Sequence, residues 1–261
     1  LILILISTFG FGQSKEFDLG VKAFTSRAYL KAIAHFDKAE ETEKKNSDLF
    51  YNRGTAKFYL GKYQEALKDL NKAIELNNDN SDAYANKGLV LFYLYEFDKA
   101  IPVQNKAIKL DPSYINYYNR GYTKYFIADY KGALLDFNKS ISLNSSFSNS
   151  FNNRGNVKDA LKDNDGALKD FLKAIELNKE NWAAFNGLGN CYDNKGDFDN
   201  ALIAYLKSIE LNPDNPAAYD NMAMMKIKQN DIKGGCEDLK KAISLTKEGS
   251  RAQIHYNNNC K

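Results

Sequence analysis

The amino-acid sequence is poor in the residue types that build catalytic and metal sites. Its 261 residues include two histidines and three cysteines. The spacing of these residues does not match a zinc site, and the sequence contains no nucleophile–base pairing, Gly-rich phosphate loop or HExxH motif. We therefore predict that the protein is not an enzyme and that it has no catalytic residue, metal site or cofactor.

The sequence also lacks an excess of charge of one sign. Lys and Arg together number 36 and Asp and Glu 33, which gives a formal net charge of +3. This balance gives no reason to expect nucleic acid or an acidic membrane as the main partner, and we predict no nucleic-acid binding. With four prolines and no long Gly/Ser-rich or Pro-rich stretch, the sequence shows no flexible linker between domains.

No apolar run in the sequence is long enough to cross a bilayer. The strongest one occupies residues 1–6 and is extended by Phe9 and Phe11. It is similar to the apolar region of a secretory signal peptide, with Gly12 at a cleavage position. We predict that residues 1–12 are such a peptide, that the mature chain has no stable membrane span, and that it is periplasmic or extracellular in a bacterial cell envelope. The alternative is a buried N-terminal strand or helix.

What the sequence does contain is a repeat. Small residues recur every 33 or 34 positions, and two further columns of small residues follow 12 and 19 positions later. Small side chains in fixed columns allow two antiparallel helices to approach closely. Each unit is therefore predicted to be a helix, a tight turn and a second helix. The first column comprises Gly20, Gly54, Gly88, Gly121, Gly155 and Gly189, with Ala223 in seventh place.

This pattern resembles the tetratricopeptide repeat family, most closely in the stretch GLGNCYDNKGDFDNALIAYLKSIELNP, Gly187 to Pro213. The resemblance covers about residues 13–249. It implies an all-α, right-handed α-solenoid (superhelix) of antiparallel helix pairs, whose first helices line the concave side. We expect a C-terminal capping helix at 250–261 after seven repeats, which are 13–46, 47–80, 81–113, 114–147, 148–181, 182–215 and 216–249.

Lysine and aspartate vary together in two columns that lie 12 residues apart. Both are present in four repeats and both are absent in the other three. We interpret this covariation as an interhelix ion pair that specifies register, with Arg154 one turn from Lys158. The alternative is a solvated face that repeat duplication has copied. The predicted pairs are Lys57 with Asp69, Lys124 with Asp136, Lys158 with Asp170, and Lys226 with Asp238.

The family geometry would place the residues beside each glycine on the groove, where one column is rich in asparagine. An Asn amide both donates and accepts, so a row of them pairs with an extended peptide backbone whatever its sequence. Some tetratricopeptide superhelices use asparagines in this way. The alternative is that these amides bond neighbouring helix ends. The column comprises Asn52, Asn86, Asn119, Asn153 and Asn221.

Other inward columns change from aromatic to polar along the chain. In repeats 1–4 they hold Phe24, Tyr51, Phe58, Tyr59, Phe92, Tyr93, Tyr118, Tyr122, Tyr125 and Phe126, and in repeats 5 and 6 they hold Asn and Asp. Exposed rings would anchor apolar groups of a partner, whereas packing between repeats is the alternative. The predicted partner-binding groove comprises Tyr51, Asn52, Phe58, Asn86, Phe92, Tyr118, Asn119, Tyr122, Tyr125, Asn153, Asn156 and Asn190. These columns hold almost no cation, so we do not predict capture of a partner's C-terminal carboxylate.

The three cysteines fall into two classes. Cys191 occupies a column of small core residues. A chain reversal near Lys247 would bring Cys236 and Cys260 side by side, where they could form a disulfide in an oxidising compartment. The alternative is two unpaired thiols and a frayed tail.

Together these features predict a non-catalytic protein–protein interaction scaffold that binds a peptide or partner protein in its concave groove. The alternative is a regulatory or sensing array within a larger signalling or envelope assembly. No oligomeric state follows from the sequence.

Overall fold

The computed structural model describes residues 14–246 and 249–260, and the predicted signal peptide at 1–12 lies outside them. Within this part of the chain the regular elements are fifteen α-helices joined by short turns. The chain divides into two compact units, residues 1–143 (unit 1) and 144–261 (unit 2). We describe each unit by itself.

Unit 1 consists of four consecutive helix pairs, and the two helices of each pair pack on each other. The first helix of a pair is called its A helix and the second its B helix. The pairs are α1 Lys15–Thr25 with α2 Tyr29–Glu40, α3 Ser47–Tyr59 with α4 Tyr63–Leu76, α5 Ser81–Tyr93 with α6 Phe97–Leu110, and α7 Tyr114–Phe126 with α8 Tyr130–Leu143.

Unit 2 consists of three pairs and one further helix. The pairs are α9 Ser148–Ala160 with α10 Asn164–Leu177, α11 Trp182–Lys195 with α12 Phe198–Leu211, and α13 Pro216–Lys228 with α14 Ile232–Ser244. The last helix, α15 Arg251–Asn259, packs on α14 and α13. Both units show the predicted fold class, an all-α solenoid of antiparallel helix pairs.

Local sequence explains where the helices begin. Asn46, Asn80 and Asn181 each precede an A helix, and their side-chain oxygens accept hydrogen bonds from N–H groups of the first turn. Asp163 and Asp197 do the same for the B helices α10 and α12. These side chains satisfy amides that have no partner inside the helix, which stabilises each start by about 1 kcal/mol.

The turn within each pair has one residue in the left-handed backbone region. The N–H after this residue bonds back into the A helix, as Lys62 N does to Lys57 O at 3.0 Å. Glycine and asparagine adopt a positive φ at low cost, but four of the seven residues are other types. The seven are Arg27, Gly61, Tyr95, Ala128, Lys162, Gly196 and Asn230, with φ from 59° to 77°.

The core lies in layers between helices, where the glycine column receives large side chains. Phe171 lies between two glycines: a Cβ added at Gly155 or Gly187 would lie 2.8 or 2.4 Å from the Phe171 ring. Gln104 occupies the equivalent place in the third pair, and its amide donates to Thr123 Oγ1 at 2.9 Å. Among the described residues, no helix is both long and apolar enough to cross a membrane.

Candidate partner-binding surface

Successive A helices contact one another within each unit. In unit 1 these contacts run α1 to α3, α3 to α5 and α5 to α7, and in unit 2 they run α9 to α11 and α11 to α13. The exposed side chains of the A helices and of the turns that follow them therefore form a continuous surface in each unit, which we call the A-helix surface.

Most of the asparagines predicted to face a groove lie inside the protein. Asn52, Asn86, Asn119 and Asn153 are each at most 7% exposed. The amide of Asn86 donates to Tyr51 Oη at 3.2 Å and to Thr55 Oγ1 at 3.1 Å. Because α3 and α5 pack directly on each other, Asn86 bonds protein groups across this contact. This differs from the expected row of amides open to a peptide backbone.

The remaining predicted asparagines are only half-buried. Asn156 lies on α9 and Asn190 on α11. The side-chain oxygen of Asn190 accepts a hydrogen bond from the Tyr205 hydroxyl at 2.8 Å. Nearby, the amide of Asn221 donates to Asn186 at 3.1 Å. The polar A-helix surface of unit 2 thus bonds partly to itself.

The six predicted groove aromatics divide equally between buried and half-buried positions. Burial raises the pKa of the Tyr51 and Tyr122 hydroxyls, so both remain neutral at physiological pH. Some of the six rings therefore pack between repeats, which is the alternative stated in the sequence analysis. The buried residues are Tyr51, Phe92 and Tyr118, and the half-buried ones are Phe58, Tyr122 and Tyr125.

Four other aromatic residues of unit 1 are more exposed than any of these six. Tyr59 is 39% exposed, Tyr93 40%, Phe126 53% and Tyr95 75%. We call these four residues the aromatic row. Three of them belong to the inward columns read from the sequence, but Tyr95 lies in a turn and was missed. Tyr95 follows Gly61 by one repeat length and occupies the same left-handed turn position. Extending the repeat register into the turns would have identified it.

The A-helix surfaces of the two units differ at equivalent positions. In unit 1 the rings of Phe58 and Tyr93, 35 residues apart, meet edge to face at 5.3 Å. In unit 2 the equivalent contacts are polar: Asn194 donates to Asp159 at 3.4 Å, and Lys228 to Asp193 at 2.8 Å. An aromatic contact between repeats in unit 1 is therefore replaced by polar contacts in unit 2.

The structure brings each predicted lysine to its aspartate. Lys226 lies 2.7 Å from Asp238. The other three pairs have nitrogen–oxygen distances of 2.7, 2.8 and 2.8 Å, for Lys57 with Asp69, Lys124 with Asp136, and Lys158 with Asp170. In these three pairs the aspartate side chain is at most 8% exposed, so the charges lie between the helices.

An arginine completes three of these pairs, and sequence reasoning had placed it only nearby. Arg53 donates through two nitrogens to both oxygens of Asp69, at 2.9 and 2.8 Å. Arg120 and Arg154 bind their aspartates in the same way. Each guanidinium also lies over the aromatic ring three residues earlier, as Arg53 does over Phe50 at 5.4 Å. We call each set of arginine, lysine and aspartate an ion triad, and each triad joins the two helices of its pair.

The end of unit 2 carries the remaining predicted feature. Cys236 and Cys260 are joined in a disulfide with a Cα–Cα distance of 5.7 Å. Asp220, which is 2% exposed, accepts hydrogen bonds from Arg251 at 2.5 Å and from His255 at 2.7 Å. Both donors lie on α15, so a covalent bond and a buried carboxylate hold this helix to the last pair.

Unit 2 contains a buried thiol and a polar cavity. Within residues 14–246 and 249–260, no group of His, Cys, Asp and Glu side chains is arranged to hold a metal ion. Cys191 is buried, and burial raises the pKa of its thiol to about 12. A polar cavity of about 340 Å³ lies beside α15, but its Asn186, Asn221 and Arg251 side chains bond to one another or to Asp220.

Comparison with solved structures supports this description of the fold. A tetratricopeptide repeat protein from Parabacteroides merdae is 20% identical, with a TM-score of 0.78 over 97% of this chain and 100% of that chain. A chain of the APC/C hetero-tetramer Cut9–Hcn1 is 15% identical, with a TM-score of 0.82; the match covers 97% of this chain and spans only 50% of that one. YrrB, a tetratricopeptide repeat protein with an unusual peptide-binding site, is 26% identical, with a TM-score of 0.52 over 72% of this chain and 97% of that chain.

Sequence comparison identifies the repeats themselves. No curated protein sequence matches the chain at a significant level. Profiles of the tetratricopeptide repeat match residues 47–80, 81–114, 148–181 and 182–215, which together make up just over half of the chain. Each matched segment contains one of the helix pairs described above. The chain belongs to the tetratricopeptide repeat family.

Proposed function

We propose that the protein is a non-catalytic scaffold that binds a peptide or a segment of a partner protein on the A-helix surface of unit 1. Tetratricopeptide repeats are in general scaffolds for protein partners. The observation that carries the proposal is the aromatic row, because rings that remain 39–75% exposed contribute only part of their area to the core of the protein. Contiguous exposed aromatic surface is typical of protein-binding sites.

The chemistry of the row suits a protein segment. Aromatic side chains dominate the energetics of protein interfaces, since they bury a large area for few rotatable bonds. Phe58, Tyr122 and Tyr125 from the predicted groove are half-buried on the same A helices and extend this apolar surface. YrrB, 26% identical over 72% of this chain, has a peptide-binding site, and this likeness supports peptide binding here.

We also propose that the protein acts outside the cytoplasm, in the cell envelope or beyond it. Disulfides persist in oxidising compartments, and Cys236 and Cys260 are bonded. The apolar start of the sequence supports the same location.

Affinity capture with mild cross-linking in native cell-envelope extract tests the proposal. The baits are the full chain, a Tyr93→Ser/Phe126→Ser variant, and an Ile203→Ser/Leu206→Ser control. The control removes two exposed apolar side chains from α12 in unit 2, where Ile203 is 65% and Leu206 50% exposed. We expect a partner that the parent and the control hold and the row variant loses, while all three give the same helical circular dichroism. Equal capture by all three baits would contradict binding at the row.

A further inference from the structure

Packing within unit 1 fixes the orientation of the rings in the aromatic row. Tyr29 stacks on Tyr59 at a centroid distance of 4.6 Å and an interplanar angle of 6°. One repeat later Tyr63 stacks on Tyr93 at 5.3 Å and 16°. In both cases the first ring of a B helix supports the last ring of the next A helix. A supported and partly exposed ring is pre-organised, so its side chain loses little further entropy when a partner binds.

The row recurs with the spacing of the repeats. Tyr59, Tyr93 and Phe126 end α3, α5 and α7, and each of these helices packs on the next. Helices in contact lie about 8–10 Å apart, so the exposed rings follow one another at about this interval. A polyproline II helix has three residues per turn and a rise of about 3.1 Å per residue, which gives a pitch of about 9 Å. One proline in every third position would therefore meet successive rings.

Charged side chains beside the row are bound in ion pairs. Lys57 is bound to Asp69, and Glu96 is paired with Lys99 at 2.7 Å. Burial raises the pKa of the Tyr59 hydroxyl and outweighs the effect of Arg27, which lowers it. The hydroxyls of Tyr59 and Tyr93 can donate hydrogen bonds to peptide carbonyls. An uncharged segment rich in carbonyl acceptors matches this surface better than an acidic or basic one.

Tyr95 adds a separate observation. It is 75% exposed and adopts a φ of 61°, in the turn between α5 and α6. A positive φ at a non-glycine residue carries a conformational cost, and the largely exposed ring recovers little of this cost by packing. The ring touches Phe97 edge to face at 6.1 Å. Arg27, Ala128 and Lys162 adopt the same turn conformation, so the positive φ alone does not indicate a ligand; the exposed Tyr95 ring continues the aromatic surface into the turn after α5.

From the spacing, neutrality and rigidity of these rings we propose that the aromatic row binds a proline-rich segment in the polyproline II conformation. Such segments dock on aromatic surfaces in other folds because they are extended and lose little entropy on binding. The inference rests on the proposed function and names the class of segment that the partner would contribute.

The test is isothermal titration calorimetry of the full chain with a capped peptide of about twelve prolines, four turns of polyproline II helix. A Gly/Ser peptide of the same length and chitohexaose are titrated in parallel. We expect the proline peptide to bind at least about tenfold more tightly than either, and Tyr93→Ser to weaken it about tenfold. Tyr95→Asn should weaken it about threefold, since Asn tolerates the turn and removes no core packing. Leu206→Ser in unit 2 is the matched control and should leave the affinity unchanged.

Three results would overturn the inference. The proline peptide does not bind, both Tyr93→Ser and Tyr95→Asn bind it as tightly as the unaltered protein does, or chitohexaose binds more tightly than the proline peptide. If the proline peptide fails to bind while the captured partner is still lost in Tyr93→Ser/Phe126→Ser, the partner-binding scaffold stands and the proline-rich ligand does not. If the proline peptide fails to bind and all three baits also capture the same partner equally, the proposed function is overturned as well.

Discussion

Asp170 is bound at both of its oxygens by Arg154, with Nε 2.8 Å from Oδ2 and Nη2 2.6 Å from Oδ1. Lys158 approaches the same carboxylate at 2.8 Å. One nearly buried anion on a B helix therefore holds two cations on the facing A helix. The angle and register of the pair depend on this contact as well as on apolar packing.

Replacing Asp170 by Ala should destabilise the protein by about 2–4 kcal/mol, because it leaves two cations without a partner between the helices. This loss of stability is smaller than that expected for a fully buried ion pair, because the side chains of Arg154 and Lys158 are about one fifth exposed. Urea denaturation measures the change. The control is Asp165→Ala, which breaks a surface pair with Lys195 and should hardly move the midpoint. Equal effects of the two substitutions would show that the triad does not contribute through burial.

Gly155→Ala should be destabilising even though alanine favours the helix. The gain in helix propensity is about 1 kcal/mol, whereas a Cβ 2.8 Å from the Phe171 ring forces a shift that costs about 1–3 kcal/mol. Thermal unfolding of the variant checks the sign. Leu70 fills the equivalent place beside Gly54, so adding Phe171→Leu should restore part of the loss. If the double variant is no more stable than Gly155→Ala, the loss of stability does not come from the contact with the Phe171 ring.

Reduction of the disulfide should lower the stability of unit 2 by about 3 kcal/mol, the value expected for a loop closed over a sequence separation of 24 residues. Differential scanning calorimetry with and without reductant measures it, and hydrogen exchange should show lost protection in α15. Cys260→Ser should reproduce the effect and abolish the response to reductant. Cys191→Ser should keep that response, because Cys191 takes no part in the bond.

Cys191 should resist alkylation in the folded protein. The thiol is buried, and its pKa of about 12 leaves very little thiolate at pH 8. Mass spectrometry after treatment with iodoacetamide should find this residue unmodified in native protein and modified in urea. Rapid labelling of the native chain would mean that α11 and α12 open readily.

Asp159→Asn should stabilise the protein at neutral pH. Burial raises the pKa of this carboxyl, so folding disfavours its charged form relative to the unfolded chain. The contribution of Asp159 to stability therefore falls as the pH rises from its ordinary pKa through the raised one, and stays low at pH 7. We expect a higher unfolding midpoint for the variant at pH 7 and no difference at pH 3, where the native carboxyl is neutral. The same gain at both pH values would contradict this origin.

The sequence was sufficient to predict the helix pairs, because the approach of two helices depends on small residues at fixed positions. Gly155 and Gly189 show this, since each receives a large side chain from its B helix. Covariation within one chain also predicted that Lys158 meets Asp170. Repetition made these inferences robust, because the same physical requirement appears several times in independent copies.

The exposure of side chains on the A-helix surface was harder to predict. Asn86 was expected to face a partner but lies between α3 and α5. Its sequence column, two residues before the glycine, falls where neighbouring A helices contact each other. Tyr95 was missed because no helical periodicity applies to a turn. Gln104 is a polar residue in a column of large apolar ones, and only the structure shows that Thr123 accepts its hydrogen bond. The exposure of a side chain depends on which residues of the neighbouring repeat pack against it, and the residue types in one sequence column do not give this information.

The attachment of α15 has a consequence for assembly. A helix pair at the end of a solenoid presents the same kind of apolar face that its neighbours use to stack. Here Ala252 of α15 is 3% exposed against Leu239 and Ala242 of α14, and Tyr256 and Cys260 cover the same cluster. The helix thus covers this apolar cluster of α14. Release of α15 would uncover apolar surface at Leu239 and Ala242, of the kind that promotes association with another protein.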